Sequence, residues 1–214
     1  MIGRMRLYNV GTYSEDSRPL EKCVSEPQYT TFETKNGFVG LAWNQQGVCG
    51  LRLPASSPES AEAAILRRLP QARRSSPPPP IARLISDIQR YFEGEKIDFS
   101  SVPVDLGSQE PFFSRVYAEV RKLGWGETTT YGTVAKTLGA EPQAAQGVGQ
   151  AMASNPVPLI VPCHRVLAAG GKLGGFSAPG GSSSKARMLE IEGVTPAGTL
   201  SRDQAKSDQI GFGF

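Results

Sequence analysis

Three prolines fall within seven residues in the stretch "NPVPLIVPCHRV", Asn155 to Val166. Proline removes a backbone donor and clashes with the preceding helical turn, so Pro156, Pro158 and Pro162 forbid a helix here. The apolar residues between them still need burial. The spacing therefore predicts a short buried strand, Leu159 to Val161, ending in a rigid turn. That turn carries Cys163, one of three cysteines, and His164, the only histidine of the chain.

A cysteine closing a buried strand can be a small apolar filler. The adjacent histidine adds a chemical reading. A free thiol titrates near ~8.5, so little is thiolate at neutral pH, and a nearby base raises the reactive fraction. Neighbouring residues on an extended chain point to opposite sides, so contact between the two side chains needs a turn or a bridging water. A third group, normally a carboxylate, would orient the imidazole. Spacing alone does not identify it.

The rest of the chain supplies a scaffold. Its 214 residues allow one large domain or two smaller ones, and 39% hydrophobic with 20% charged residues suits a packed core. Residues 1–28 read as an irregular arm. "YTTFETKNGFVGLAWNQQGVCGLRLP" gives β-rich runs broken at Asn36-Gly37 and Gln46-Gly47, a hairpin or small antiparallel sheet. "SPESAEAAILRRLP" is helical, with Ser57 or Ser60 as cap. Ser75 to Pro80 is a stiff break, and "IARLISDIQRYFEG" a second helix ending at Gly94.

Pro103 to Glu110 reads as a linker. "PFFSRVYAEVRKLGWG" follows as a helix with Phe112, Val116, Val120 and Leu123 on one stripe. "TTTYGTVAKTLG" is a short helix capped by Thr130 and closed by Gly139, and a second starts after Pro142 and ends at Asn155-Pro156. Such a pair is either a helix-turn-helix or an ordinary helical hairpin. Ala144, Ala145, Gly147, Gly149 and Ala151 make the second helix small-faced, fit for close approach to a narrow groove or to another helix. "LAAGGKLGGFSAPGGSSSKARMLEIEG" is a Gly-rich loop, without P-loop spacing, running into a helix from about Ser184 to Ile191 that carries Glu190 and Glu192.

Other classes are disfavoured. No apolar run approaches the roughly 18 residues of a membrane span, and Met1 to Asp16 holds no continuous apolar core of signal-peptide type. A cytoplasmic protein with no membrane partner is expected. Cys23, Cys49 and Cys163 are too few for a disulfide framework, and one histidine argues against a metal site.

"NPVPLIVPCHRV" resembles the signature of the O6-alkylguanine-DNA alkyltransferases, the methylated-DNA–protein-cysteine methyltransferases. Residues 111–156 resemble the family's helix-turn-helix half and "RMLEIEG" its closing helix, so 105–194 is covered strongly. Tyr29 to Phe99 is similar to its smaller N-terminal domain more loosely. The resemblance completes an α/β (α+β) architecture. Residues 1–28 form an arm and 29–104 a small N-terminal α/β domain with an antiparallel sheet. Residues 105–194 form a mostly helical C-terminal domain with a helix-turn-helix and an active-site cysteine turn, and 195–214 a tail.

The resemblance also implies roles. Cys163 would accept an alkyl group from O6-alkylguanine, and possibly O4-alkylthymine, in double-stranded DNA, once per molecule and without a cofactor. His164 would take the thiol proton through a water, and Glu192 would orient His164. Tyr131 would protonate or polarise the leaving base, and Asn155 would bridge the helix-turn-helix to the cysteine turn. The backbone of Val161 to Val166 and the Ser177 amide would lie along the guanine edge; Arg165 would be structural. Ala144, Ala145, Gln146 and Gly149 would face the minor groove, with the target guanine flipped out of a duplex bound by a monomer. Gln146 departs from the family, standing where an arginine usually enters the duplex. No N-terminal zinc site is expected. Residues 111–193 hold eight Lys/Arg against five Asp/Glu, a balance of +3 that fits salt-sensitive DNA binding. Two alternatives compete: a non-catalytic alkyltransferase-like damage binder, a kind that lacks the cysteine, and a cysteine hydrolase using Cys163 and His164.

Overall fold

The computed structural model describes residues 26–141, 143–175 and 181–197. Pro142, Ser177, Cys23, most of the N-terminal arm and nearly all of the tail lie outside the described residues.

Three strands, β1 (Gln28–Thr34), β2 (Gly37–Trp43) and β3 (Val48–Ala55), form an antiparallel meander, with the two-residue β4 (Arg73–Arg74) parallel to β1. The sheet order is β3-β2-β1-β4. Both predicted turns are present for identifiable reasons. Gly37 adopts φ 120°, a conformation that side chains disfavour, and Thr34 Oγ1 donates to Gly37 O at 2.7 Å. At the second turn Asn44 Oδ1 accepts from the amides of Gln46 and Gly47.

Helix α1 (Pro58–Leu66) is capped by Ser57, whose Oγ accepts from Ser60 N at 3.2 Å, which decides between the two candidate caps. Helix α2 (Pro79–Glu93) begins inside the proline run: Pro79 and Pro80 occupy its first turn, where a missing amide costs nothing. The stiff break thus ends at Pro78, two residues earlier than the spacing predicts. Gly94, at φ 101°, ends α2 as expected.

The predicted linker is not loose. Val48 N donates to Pro103 O, Asp105 N to Val48 O, and Asn44 Nδ2 to Asp105 Oδ2 at 2.6 Å. An exposed edge of β3 offers unpaired backbone groups, and the extended chain at Pro103 satisfies them. Helix α3 (Pro111–Val120) is shorter than its apolar stripe; Val116 and Val120 are buried, and turns take over before Leu123. Helix α4 (Tyr131–Thr137) has the Thr130 cap, and Gly139 follows it at φ 67°. Helix α5 (Ala144–Ser154) packs on both α4 and α3, and α6 runs Gly181–Ile191.

A single buried cluster contains Val39 and Leu41 of the sheet, Ile88 and Tyr91 of α2, Val116 of α3, Val148 of α5, and Val161 and Cys163. The two halves of the chain therefore share one core. No helix among the described residues is long and apolar enough to cross a membrane.

Candidate active site

The expected strand at Leu159–Val161 is instead a tight turn. Val161 N donates to Val157 O at 3.0 Å, and Leu159 sits at φ 77° while almost wholly buried. Burial was read correctly and the backbone was not. Asn155 explains the difference: its Oδ1 accepts from Val157 N at 3.0 Å and its Nδ2 donates to Val161 O at 2.8 Å. One side chain closes the loop on both sides and holds a left-handed leucine that is otherwise rare. The Asn155 side chain also favours the thiolate form of Cys163.

Beyond Pro162 the chain makes one 3-10 turn, Cys163–Arg165, then a two-residue strand β6 (Val166–Leu167). β6 pairs in parallel with β5 (Thr129–Thr130), and Thr130 caps the helix whose first residue is Tyr131. This small ladder sets Tyr131 beside the cysteine turn. Tyr131, Gln146, Gly149, Met152, Ala153, Cys163 and Gly175 line a cleft of about 500 Å³.

Behind Cys163 lies a buried polar network. His164 Nε2 meets Glu192 Oε1 at 2.8 Å, with both side chains fully buried. Arg165 clamps the same carboxylate through Nε to Oε2 and Nη2 to Oε1, each 2.8 Å, and its Nη1 donates to Leu123 O at 2.6 Å. Tyr91 Oη donates to Glu192 Oε1 at 2.9 Å and Gly126 N to Oε2 at 3.1 Å. Burial alone would raise the Glu192 carboxyl, but the hydrogen bonds from His164 and Arg165, with the Arg165 charge, outweigh it and hold the group down at about 2. An ionised Glu192 requires the proton on His164 Nε2. Nδ1, buried and without a partner among the described residues, is then the free acceptor.

Burial also sets the other protonation states. It pushes the Cys163 thiol up, against the Asn155 side chain and the Lys185 charge, and pushes His164 down despite Glu192. Burial and then the Cys163 charge raise Tyr131, keeping it a donor. The resting pair is a neutral thiol and a neutral imidazole.

Lys185 and Tyr91 were missed in the sequence. Lys185 is fully buried, donates to Val166 O at 2.6 Å, and lies 3.4 Å from Tyr131 Oη and 5.5 Å from its ring centre. Burial lowers it to about 8, against a raising effect of Cys163. A lysine in a helical stripe carries no sequence mark of burial, and Tyr91 looks like any core aromatic.

The small residues of α5 do not share a face. A Cβ on Gly147 would stand 3.1 Å from Phe112 Cε1, so that glycine lets α3 approach, and Ala144 packs on the core. Gly149 has open space and lines the cleft with exposed Gln146. Ala145 is half-buried outside the lining. Val161 and Val166 lie fully buried behind the cysteine, their carbonyls accepting from Asn155 and Lys185. Glu190 pairs with Arg187 on the surface, apart from the network.

Known proteins resemble this chain in sequence and in fold. A family model described as the 6-O-methylguanine DNA methyltransferase DNA-binding domain matches residues 111–194. A methylated-DNA–protein-cysteine methyltransferase of Metallosphaera sedula is 44% identical over 110 residues, 51% of this chain and 66% of that protein. One of the same name from Methanothermobacter thermautotrophicus is 33% identical over 160 residues, 75% of this chain and 82% of the relative. The structure of Mycobacterium tuberculosis OGT in complex with DNA superposes with a TM-score of 0.62 at 32% identity, covering 79% of this chain and 96% of that one.

Proposed function

The chain belongs to the methylated-DNA–protein-cysteine methyltransferase family, and on that premise we propose that it repairs DNA by moving the alkyl group of O6-alkylguanine onto its own Cys163. The observation that carries this reading is one thiol at the edge of a cleft, a buried His–Glu pair behind it and a phenol beside it.

The thiol proton passes through a water to His164 Nδ1. The resulting imidazolium is held against the Glu192 carboxylate, which is already ionised. Glu192 and Lys185 offset the charge separation that burial penalises. The thiolate attacks the alkyl carbon, the S–C bond forms, and the bond from that carbon to O6 breaks. The leaving guanine carries the electron pair, and a donor there lowers the barrier. Tyr131, kept protonated, supplies that donor from the cleft wall. The thioether is stable, so each molecule reacts once.

DNA would meet the open side of α5. Gly149 and Ala153 there offer no bulk, which fits minor-groove approach, and the cleft would receive a guanine flipped from the stack. The decisive experiment mixes the protein with duplex carrying radiolabelled O6-methylguanine. Label should reach the protein at one equivalent and map by mass spectrometry to Cys163. Tight binding without transfer would make it a damage binder instead; repeated turnover of unmodified protein would make it a hydrolase.

A further inference from the structure

Helix α5, proposed above to enter the groove, contains neither lysine nor arginine. Phosphate contacts usually carry most of the affinity of a DNA-binding protein, so its positive charge must come from elsewhere. The end of α5 is where such charge gathers. Arg68 Nη1 donates to Ser154 O at 2.9 Å, and Arg52 Nη1 to Pro156 O at 3.2 Å and Leu51 O at 2.7 Å. Arg67, which caps α1, is exposed alongside. These three residues come from β3 and from the end of α1, in the half of the chain not assigned to DNA.

Helix ends explain only part of this. Each helix C-terminus presents roughly half a negative charge, so the ends of α1 and α5 together offset about one of three positive charges. Among the described residues no carboxylate pairs with Arg52, Arg67 or Arg68, whereas Arg73, Arg74 and Arg187 sit against Glu26, Glu62 and Glu190. The crowding is felt within the protein: burial first, then the charges of Arg68 and Arg67, bring Arg52 down to about 10. A polyanion would relieve that repulsion.

Position names the polyanion. Gly149 lines the cleft, and Ser154 lies five residues further along the helix, about 7.5 Å at the usual rise. The minor groove is about 6 Å wide, so the last turn of a helix seated in it comes up against a phosphate strand. We propose that Arg67 and Arg68 dock the DNA phosphate backbone at the end of α5, with Arg52 beneath them as fixed supporting charge. The N-terminal half thereby provides an anchor that the groove helix lacks. This proposal rests on the DNA-repair reading above.

The test measures duplex affinity against salt for the full chain, with undamaged and O6-methylguanine DNA. The variants are Arg67→Glu, Arg68→Lys and the double Arg67→Ala/Arg68→Ala. Loss of one phosphate contact lowers the slope of log K against log salt by about 1, equally for both DNAs, so the double variant should lose about 2. Arg68→Lys keeps the charge and should keep the slope. Arg67 has no side-chain hydrogen bond or ion pair among the described residues, so Arg67→Glu isolates charge from folding, and reaction with free O6-benzylguanine checks that Cys163 still reacts. Unchanged slopes in Arg67→Glu and in the double variant overturn the proposal. If the unsubstituted protein reacts with the free base but shows no salt-dependent duplex binding, the DNA reading itself has failed and the anchor falls with it.

Discussion

Glu192 accepts five hydrogen bonds, from His164, Tyr91, Gly126 and twice from Arg165, in a space closed to water. Its carboxyl is held at about 2, against an ordinary 4.5. A depressed carboxyl contributes stability above its unfolded pKa, and that contribution disappears as pH falls through the folded value. The shift corresponds to about 3 kcal/mol, present at neutral pH and lost between about pH 5 and pH 2. Denaturant titration at pH 7 and pH 3 should show about 2 kcal/mol of that loss in the native chain and a much smaller one in Glu192→Gln; equal losses would show that other groups govern acid sensitivity. Kinetically, Glu192→Gln and His164→Ala should each slow transfer by roughly 10²–10⁴-fold. The double variant should be little slower than the worse single one, because the pair acts as a unit. Full additivity would separate their roles.

Helix α5 divides its glycines between two tasks. Gly147 admits Phe112, so a side chain there must displace α3, whereas Gly149 opens onto the cleft. Gly149→Leu should therefore fold with nearly unchanged melting temperature, since leucine improves helix propensity by up to about 1 kcal/mol. It should nevertheless lose duplex repair. A variant that melts early would show that Gly149 is packed in solution. Gln146, exposed on the cleft rim, makes a second prediction. Glutamine can bond an orphan base but is short and uncharged, so extrusion of the target should be inefficient. Gln146→Arg should speed repair of duplex by an amount worth about 1–2 kcal/mol, the value of one good base contact, while barely altering reaction with free O6-benzylguanine. Equal effects on both substrates would mean that Gln146 does not act in flipping.

Across the whole molecule, the two halves meet at the site itself. Tyr91, from α2, is fully buried, stacks edge-on with Phe92, Phe99 and Trp125, and bonds Glu192 across 101 residues of sequence. Leu51 N and Arg52 Nη1 both reach Pro156 O, beside Asn155. Tyr91→Phe should cost about 1.5–3 kcal/mol, the value of a hydrogen bond to a buried charge, and should slow reaction even with free O6-benzylguanine. If stability falls while that rate is untouched, the N-terminal half supports the fold without tuning the relay.

How much of this was legible follows from which constraints are local. The Thr130 cap and the glycines at 37, 94 and 139 act on their own stretch of backbone, so the sequence by itself determined the hairpin turns, most helices and the adjacency of Cys163 and His164. Glu192 and Asn155 were named only because the family signature marks them. The left-handed Leu159, the fully buried Lys185, the Tyr91 bond and the arginine group at the end of α5 were decided by tertiary structure alone. Each depends on groups brought together by packing, and a side chain's burial, charge state and partner are properties of what surrounds it, which no short window of sequence contains.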